Sequence, residues 1–174
     1  KGCLIGAGAV FGLGAAFLPV VLRELPRPLG DHKAALYLGT ETLLLCALLW
    51  AAASYDGADW FPIPALPGTL FGLAFPWGWA LILRYAPVSP WWKGAACLGW
   101  SAILLPLVTP VLDRLVVLGG GVVERLHPFW FRPDFARWRD DWFYNENVLF
   151  LLWLCLIGAA ALCAARALWT ERRT

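Results

Sequence analysis

Residues 34–55, AALYLGTETLLLCALLWAAASY, set the class of this protein. The stretch is almost wholly apolar, and roughly 20 such residues are enough to cross a hydrocarbon core about 30 Å thick as a helix. Its one charged side chain is Glu41. Because a charged group at membrane depth is costly, it normally faces protein, ligand or water. We therefore predict a membrane helix that docks through Glu41 against another element.

The composition of the whole chain is that of a membrane protein. Of its 174 residues, 60% are hydrophobic and only 15% are charged, whereas a soluble domain has about 25% charged residues. The twelve tryptophans are typical of a protein that meets two membrane–water interfaces. The net charge of +2 comes without a basic cluster. We expect the lipid bilayer as the surroundings and no nucleic-acid partner.

The hydropathy pattern predicts an all-α integral membrane protein, organised as a single polytopic domain over residues 1–174. About five transmembrane helices are expected. Their predicted ranges are residues 3–22, 35–54, 62–83, 94–112 and 148–168. The first span carries a GxxxG pattern at Gly8 and Gly12, which lets helices approach closely in lipid.

Residues 122–147 form the one sizeable stretch between spans that is not continuously apolar. Phe131, Phe135, Trp138 and Trp142 recur at spacings of four, three and four, which is one face of a helix. Charged residues fill the intervening positions. We predict a short amphipathic interfacial helix within this segment, lying in the membrane plane.

The charges of the two predicted membrane faces differ. The face with the short loops and the C-terminus has eight bases and three acids, and the opposite face has six bases and eight acids. Short loops rich in Lys and Arg remain on the cytoplasmic side or its organellar equivalent. The first face is therefore predicted to point to the cytoplasm, stroma or matrix.

Four residues are candidates for binding a cofactor or lipid: Glu41, His32, His127 and Glu124. Glu41 is the leading one, with Thr40 and Thr42 beside it as potential hydrogen-bond partners. Its alternatives are a structural contact between helices, a ligand to the magnesium of a pigment, and a proton or substrate site.

Glu124 and His127 form an ExxH pattern, which would place both side chains on one face of a helix. The spacing is similar to that in light-harvesting helices, but Phe129 stands where those helices carry an arginine. The other interpretation of His127 is an interfacial side chain bonded to backbone or lipid. Di-metal helix bundles need two such motifs, and the sequence has one.

No motif of a known catalytic or metal site is present. The five cysteines are scattered without a CxxC pair, and no P-loop, HExxH or nucleophile elbow occurs. We predict no metal site and no enzymatic activity.

The prediction of function follows from short loops, glycine-lined helices and abundant tryptophan. It is a non-catalytic integral-membrane subunit of a large organellar energy-converting complex, with photosynthetic complexes favoured. Chlorophyll, carotenoid and bound lipid are the expected cofactors, and other membrane subunits are the expected partners. The chain begins at Lys1 and contains no Met, which fits equally well with a removed targeting peptide and with a sequence that begins inside a longer product. We expect a thylakoid location rather than the mitochondrial inner membrane, because aromatic walls suit chlorophyll and carotenoid.

Three alternatives belong to other classes. The first is an accessory subunit of a respiratory complex. The second is a small lipid- or isoprenoid-modifying membrane enzyme, which would require Glu41 and His32 or His127 to converge on one pocket. The third is a transporter, which would require a continuous polar path past Glu41.

Overall fold

A computed structural model describes residues 32–56, 60–138 and 141–173 of the chain. Within these ranges the protein is helical and contains no strand. The chain divides into two compact units, Lys1–Ala80 and Leu81–Thr174. The first predicted span, residues 3–22, lies outside the described residues.

Five α-helices follow one another along the described chain. They are α1 (Lys33–Asp56), α2 (Leu66–Tyr85), α3 (Pro90–Leu104), α4 (Val108–Leu118) and α5 (Asp141–Glu171). Three short helical turns connect or precede them: a π-helical turn at Phe61–Ala65 and 3₁₀ turns at Leu105–Leu107 and Phe135–Arg137.

Four helical stretches of the described chain are long and apolar enough to cross a membrane. They are Lys33–Tyr55, Phe61–Tyr85, Pro90–Leu118 and Asn145–Glu171. Each overlaps one of the last four predicted spans, so the all-α class, with helices long and apolar enough to cross a membrane, is confirmed for this part of the chain. The count of five spans stays a prediction. These helices indicate a membrane location, with no assignment of the organelle.

The first unit contains α1 and most of α2, and its described side chains are mostly half-buried, with about a third of them exposed. Leu43 and Trp50 of α1 are both strongly exposed, as expected of side chains that face lipid. Trp77 of α2 donates its indole N–H to the hydroxyl of Thr42 at 3.1 Å. Hydrogen bonds of this kind fasten helices together where lipid tails provide no hydrophobic drive for association.

In the second unit α3 packs antiparallel against α5. The indole of Trp92, near the start of α3, donates to Glu171, at the end of α5, at 2.9 Å. Small side chains let the two helices approach: Ala102 and Ala167 are buried, and a Cβ on Gly94 would lie 3.6 Å from the sulfur of Cys163. Close approach between small residues replaces the hydrophobic effect as the source of helix association in lipid.

Pro106 interrupts the helical hydrogen bonds between α3 and α4. Proline has no backbone N–H, so the carbonyl four residues earlier, that of Ala102, loses its usual helical partner. The chain tightens into the 3₁₀ turn Leu105–Leu107 at this point. The indole of Trp153 on α5 donates to the Ala102 carbonyl at 3.0 Å, so the group freed by proline bonds to the neighbouring helix.

Three glycines end α4. The N–H of Gly121 donates to the carbonyl of Val116 at 2.9 Å, and that of Gly120 to the carbonyl of Val117 at 3.0 Å. This pair of bonds is a Schellman motif, in which the residue just past the helix cap adopts the left-handed backbone conformation. Gly120 supplies it with φ of 83°, and the chain turns away from α4 into the following loop.

The predicted interfacial helix is not observed as such. Residues 121–134 are irregular, and one 3₁₀ turn at Phe135–Arg137 precedes α5. Pro128 and Pro133 each remove a backbone donor that a helix would need. The backbone instead bonds to side chains of α4 and α5, as described below. We refer to residues 122–138 as the loop 122–138.

Candidate functional site

Four ionisable side chains of the second unit meet between α4 and the start of α5. We call Asp113, Arg114, His127 and Glu146 the polar cluster. Asp113 and Arg114 come from α4, His127 from the loop 122–138, and Glu146 from α5. The side chains of Asp113, His127 and Glu146 are 14%, 13% and 8% exposed. Burial to this degree requires hydrogen-bond partners.

Asp113 holds His127 in two ways. One carboxylate oxygen, Oδ2, accepts from the backbone N–H of His127 at 2.8 Å and lies 2.7 Å from its Nδ1. Because a carboxylate only accepts, Nδ1 carries the proton of this bond. The contact fixes both the position of the loop at residue 127 and the orientation of the imidazole ring.

Glu146 approaches the same ring from the other side. Its Oε1 lies 3.8 Å from Nε2 of His127, and its Oε2 accepts from the backbone N–H of Arg132 at 3.2 Å. His127 therefore lies between a carboxylate of α4 and a carboxylate of α5. The two carboxylates face opposite ring nitrogens.

Arg114 completes the polar cluster with a positive charge. Its Nη1 donates to the carbonyls of Pro110 at 2.8 Å and His127 at 3.3 Å. The guanidinium also lies over the ring of Phe129, 3.9 Å from its centroid, a distance at which cation–π attraction is strong. Arg114 thus fastens the loop at two points, residues 127 and 129.

Asn147 anchors the end of the loop. It is fully buried, and its amide both accepts from the backbone N–H of Asp134 at 2.8 Å and donates to the carbonyl of Asp134 at 2.9 Å. The side chain therefore pairs with the backbone of one residue as a neighbouring strand would. Asp134 in turn accepts from the N–H of Ala136 at 3.1 Å and caps the 3₁₀ turn.

An aromatic cluster lies beside these bonds. The ring of Phe131 contacts the rings of Phe150 and Trp153, both with centroids 6.0 Å apart, and Trp130 meets Trp153 edge-on at 5.3 Å. Phe131 is buried, whereas Trp130 is exposed. The loop is thus attached to α5 through apolar rings as well as polar bonds.

His127 and Glu124, predicted to share one helical face, have different surroundings. His127 lies in the polar cluster, but Glu124 is exposed on an irregular stretch, so the two do not share a helical face. Glu146, and not Glu124, is the glutamate beside His127. His32 is exposed in the turn before α1. It lies nine positions before Glu41, or about 13 Å along a helix, so these two do not form one site.

Glu41 is half-buried on α1, and its Oε1 has no hydrogen-bond partner among the described residues. The flanking threonines are engaged elsewhere: Thr40 donates to the carbonyl of Leu36 at 2.9 Å and Thr42 to that of Leu38 at 2.7 Å. The predicted support of Glu41 by these hydroxyls is therefore wrong. A threonine in a helix bonds readily to the carbonyl four residues earlier.

Sequence reasoning missed Asp113, Glu146 and Asn147. Two signals pointed to them: the charged pair Asp113–Arg114 within an apolar run, and the polar triplet 145–147 at the start of the last span. The sequence does not show that these side chains lie close to His127. Asp113 is fourteen positions before His127, and Glu146 is nineteen positions after it.

Chemically, the arrangement is an imidazole oriented by a carboxylate, the geometry used to set a histidine for proton transfer. It is also a set of bonds that ties a loop to two helix ends. Within the described ranges, no three His, Cys, Asp or Glu side chains converge on a point where a metal ion could bind. Comparison with protein-family models, curated proteins and solved structures finds no match for this chain.

Proposed function

We propose that the protein is a non-catalytic integral-membrane subunit of a larger membrane complex. The observation that carries the proposal is the use of the buried polar side chains. Asp113, Glu146 and Asn147 all accept hydrogen bonds from backbone N–H groups of the loop 122–138. Buried side chains whose oxygens accept hydrogen bonds from a loop's backbone N–H groups hold that loop in place.

The loop so held presents apolar side chains outward. Phe129, Trp130 and Phe135 are exposed although their backbone is fixed. A rigid surface with aromatic side chains binds partners at low entropic cost, and such residues dominate the energetics of interfaces. We infer that the loop contacts other subunits, with the interfacial lipid surrounding them.

The finer proposal concerns the type of complex. An organellar energy-converting complex, photosynthetic before respiratory, remains our proposal from the sequence, with a thylakoid location and with chlorophyll and carotenoid as cofactors. His127 could hold the magnesium of a pigment only through Nε2, because Nδ1 bonds to Asp113. Glu146 would have to move aside, since its Oε1 lies 3.8 Å from Nε2.

The test is extraction in a mild detergent followed by mass measurement and identification of co-purifying polypeptides. We expect a particle several times heavier than the 19.2 kDa chain, containing other membrane proteins. Visible absorption of the same particle tests the photosynthetic version, for which chlorophyll bands are expected. A colourless particle with other subunits would refute only that version. A 19.2 kDa monomer without other polypeptides would refute the subunit proposal itself.

A second candidate, a membrane enzyme using acid–base chemistry, is favoured by one observation. Asp113 orients the imidazole of His127 at 2.7 Å, and a second carboxylate, Glu146, lies at the opposite nitrogen. Such a histidine can accept or donate a proton at Nε2, and the adjacent rings of Phe131 and Trp153 suit a lipid or isoprenoid substrate.

Asp113→Asn separates the two candidates. A catalytic dyad predicts that a product formed from a total membrane lipid extract, detected by mass spectrometry, disappears while thermal stability is retained. If the bonds between Asp113 and His127 serve only to hold the loop 122–138, the variant should have a lower melting temperature. No lipid product from the native protein would end the enzyme proposal.

A further inference from the structure

The end of the second unit opposite the polar cluster is strongly basic. Five bases and one acid lie in residues 81–93 and 164–174, whereas residues 108–147 contain five arginines and six acids. The basic residues are Arg84, Lys93, Arg166, Arg172 and Arg173, and the acid is Glu171. The asymmetry belongs to one helical unit, so it marks one membrane face of that unit.

Three contacts bring the start of α3 and the end of α5 together at this end of the unit. The Trp92 indole bonds to Glu171 at 2.9 Å and joins the start of α3 to the end of α5. The Arg166 guanidinium lies 5.8 Å from the ring centroid of Trp91. Lys93 donates through Nζ to the carbonyl of Leu83 at 2.7 Å. Residues distant in sequence thereby meet at one end of the α3–α5 pair.

Tryptophans place this surface at the depth of the lipid headgroups. Trp91 and Trp169 are exposed beside the bases, and exposed tryptophans at the ends of spans occupy the membrane interface. The guanidinium of Arg173 lies over the ring of Trp169 at 4.6 Å. A guanidinium stacked on a ring in this way still directs its N–H edges outward, where they can bond to phosphate oxygens in pairs.

We propose that this surface, formed by Lys93, Arg166, Arg172 and Arg173 with Trp91 and Trp169, binds the headgroups of anionic phospholipids. Charge complementarity selects the occupant. Arg166, Arg172 and Arg173 are exposed, and within the described chain no carboxylate forms an ion pair with any of them. A lipid phosphate is the anion that a span end meets at this depth. The surface retains anionic lipid around this end of the protein.

The experiment uses the full chain, reconstituted in phosphatidylcholine vesicles with about one-fifth phosphatidylglycerol, extracted gently and weighed with its bound lipid by native mass spectrometry. We expect phosphatidylglycerol to be enriched over its share of the vesicle. Arg172→Gln/Arg173→Gln should lower the enrichment by roughly fivefold per arginine removed. Arg172→Lys/Arg173→Lys keeps the charge and should retain most of it.

The matched control is Arg125→Gln/Arg132→Gln, which removes the same charge from two exposed arginines at the opposite end of the unit. It should leave the enrichment unchanged. Equal losses in the two glutamine variants would show a net-charge effect and overturn the proposal. No enrichment in the native protein would overturn it as well, as would displacement of the lipid by millimolar inorganic phosphate.

Discussion

Trp153 donates its indole N–H to the carbonyl of Ala102, which Pro106 leaves without a helical donor. A proline within a span would otherwise expose an unsatisfied carbonyl to the apolar interior. The same indole belongs to the aromatic cluster beside the loop 122–138. One side chain thus connects the proline break, the α3–α5 contact and the loop.

Trp153→Phe should destabilise the protein by about 1–3 kcal/mol, because the Ala102 carbonyl loses its donor while the aromatic packing largely remains. Thermal or denaturant unfolding in detergent micelles measures the loss. Pro106→Ala restores a backbone donor for the same carbonyl, so Trp153→Phe should cost clearly less in that background. An equal cost in both backgrounds would show that the indole acts through packing alone. Trp50→Phe, at an exposed position, is the control.

Asp113→Ala should release the loop at residue 127, because both of its bonds to His127 are lost. Limited trypsin digestion of the protein in nanodiscs reports the release at the exposed Arg125, and cleavage there should accelerate at least several-fold. Asn145→Ala, which changes an exposed side chain away from the cleavage site, should leave the rate unchanged. If Asp113→Ala and the native protein are cut equally fast, the Asp113–His127 bonds do not hold the loop.

Asn147→Ala should cost about 2–4 kcal/mol, because the N–H and the carbonyl of Asp134, both part-buried, lose their partners together. Hydrogen exchange of the peptide that contains Asp134 should become faster, whereas peptides from the middle of α5 should keep their protection. Asn145→Ala, at an exposed position two residues earlier, is the matched control. A similar change in both variants would assign the effect to the start of α5 rather than to the Asn147 bonds.

Gly121→Ala should destabilise the end of α4 by about 1–3 kcal/mol, as overpacking does. A Cβ there would come within 2.6 Å of Cγ1 of Val116 and 3.0 Å of its carbonyl oxygen. Gly99→Ala is the contrasting variant: nothing lies within 4 Å of the added atom, and alanine favours a helix interior. Its melting temperature should stay the same or rise. Comparable losses at the two glycines would contradict the Schellman geometry.

Glu41→Gln and Glu41→Leu test the role of the buried carboxylate on α1. As a polar anchor between helices, residue 41 should accept glutamine with little loss and should lose assembly with leucine, since leucine offers no hydrogen bond. The measurement is the fraction of protein recovered in the large particle after mild extraction. Loss of function with glutamine while assembly persists would instead assign a proton or ligand-binding role to Glu41.

The sequence predicted the four membrane-length helical stretches of the described chain well because their signal is local. A run of apolar residues long enough to span a bilayer identifies itself without reference to the rest of the chain. The interfacial helix predicted within residues 122–147 is not confirmed, because that prediction also rested on local spacing alone. Its aromatic spacing resembles a helical face, but Pro128 and Pro133 lack the backbone donors that a helix needs. Its backbone N–H groups bond instead to side chains of α4 and α5.

The site was predictable only in part. His127 was recognised as a candidate, but its supposed partner Glu124 is exposed, and the true neighbours, Asp113 and Glu146, lie on two different helices. Nothing in the chain near residue 127 specifies them. Their approach follows from the packing of α3 and the turn Leu105–Leu107 against α5 and from the path of the loop 122–138, which carries His127 to Asp113 of α4 and to Glu146 of α5.

The sequence by itself determined that this is a helical membrane protein and where its described spans lie. The length of an apolar run and the positions of proline and glycine affect helix formation locally, without contacts from distant residues. Only the tertiary structure decided which polar groups meet. Small residues let α3 and α5 approach, and this approach joins Trp92 to Glu171 at one end of the pair. The loop 122–138 brings His127 to Asp113 of α4. Hydrogen bonds reach about 3 Å, so such pairs exist only once the packing is set.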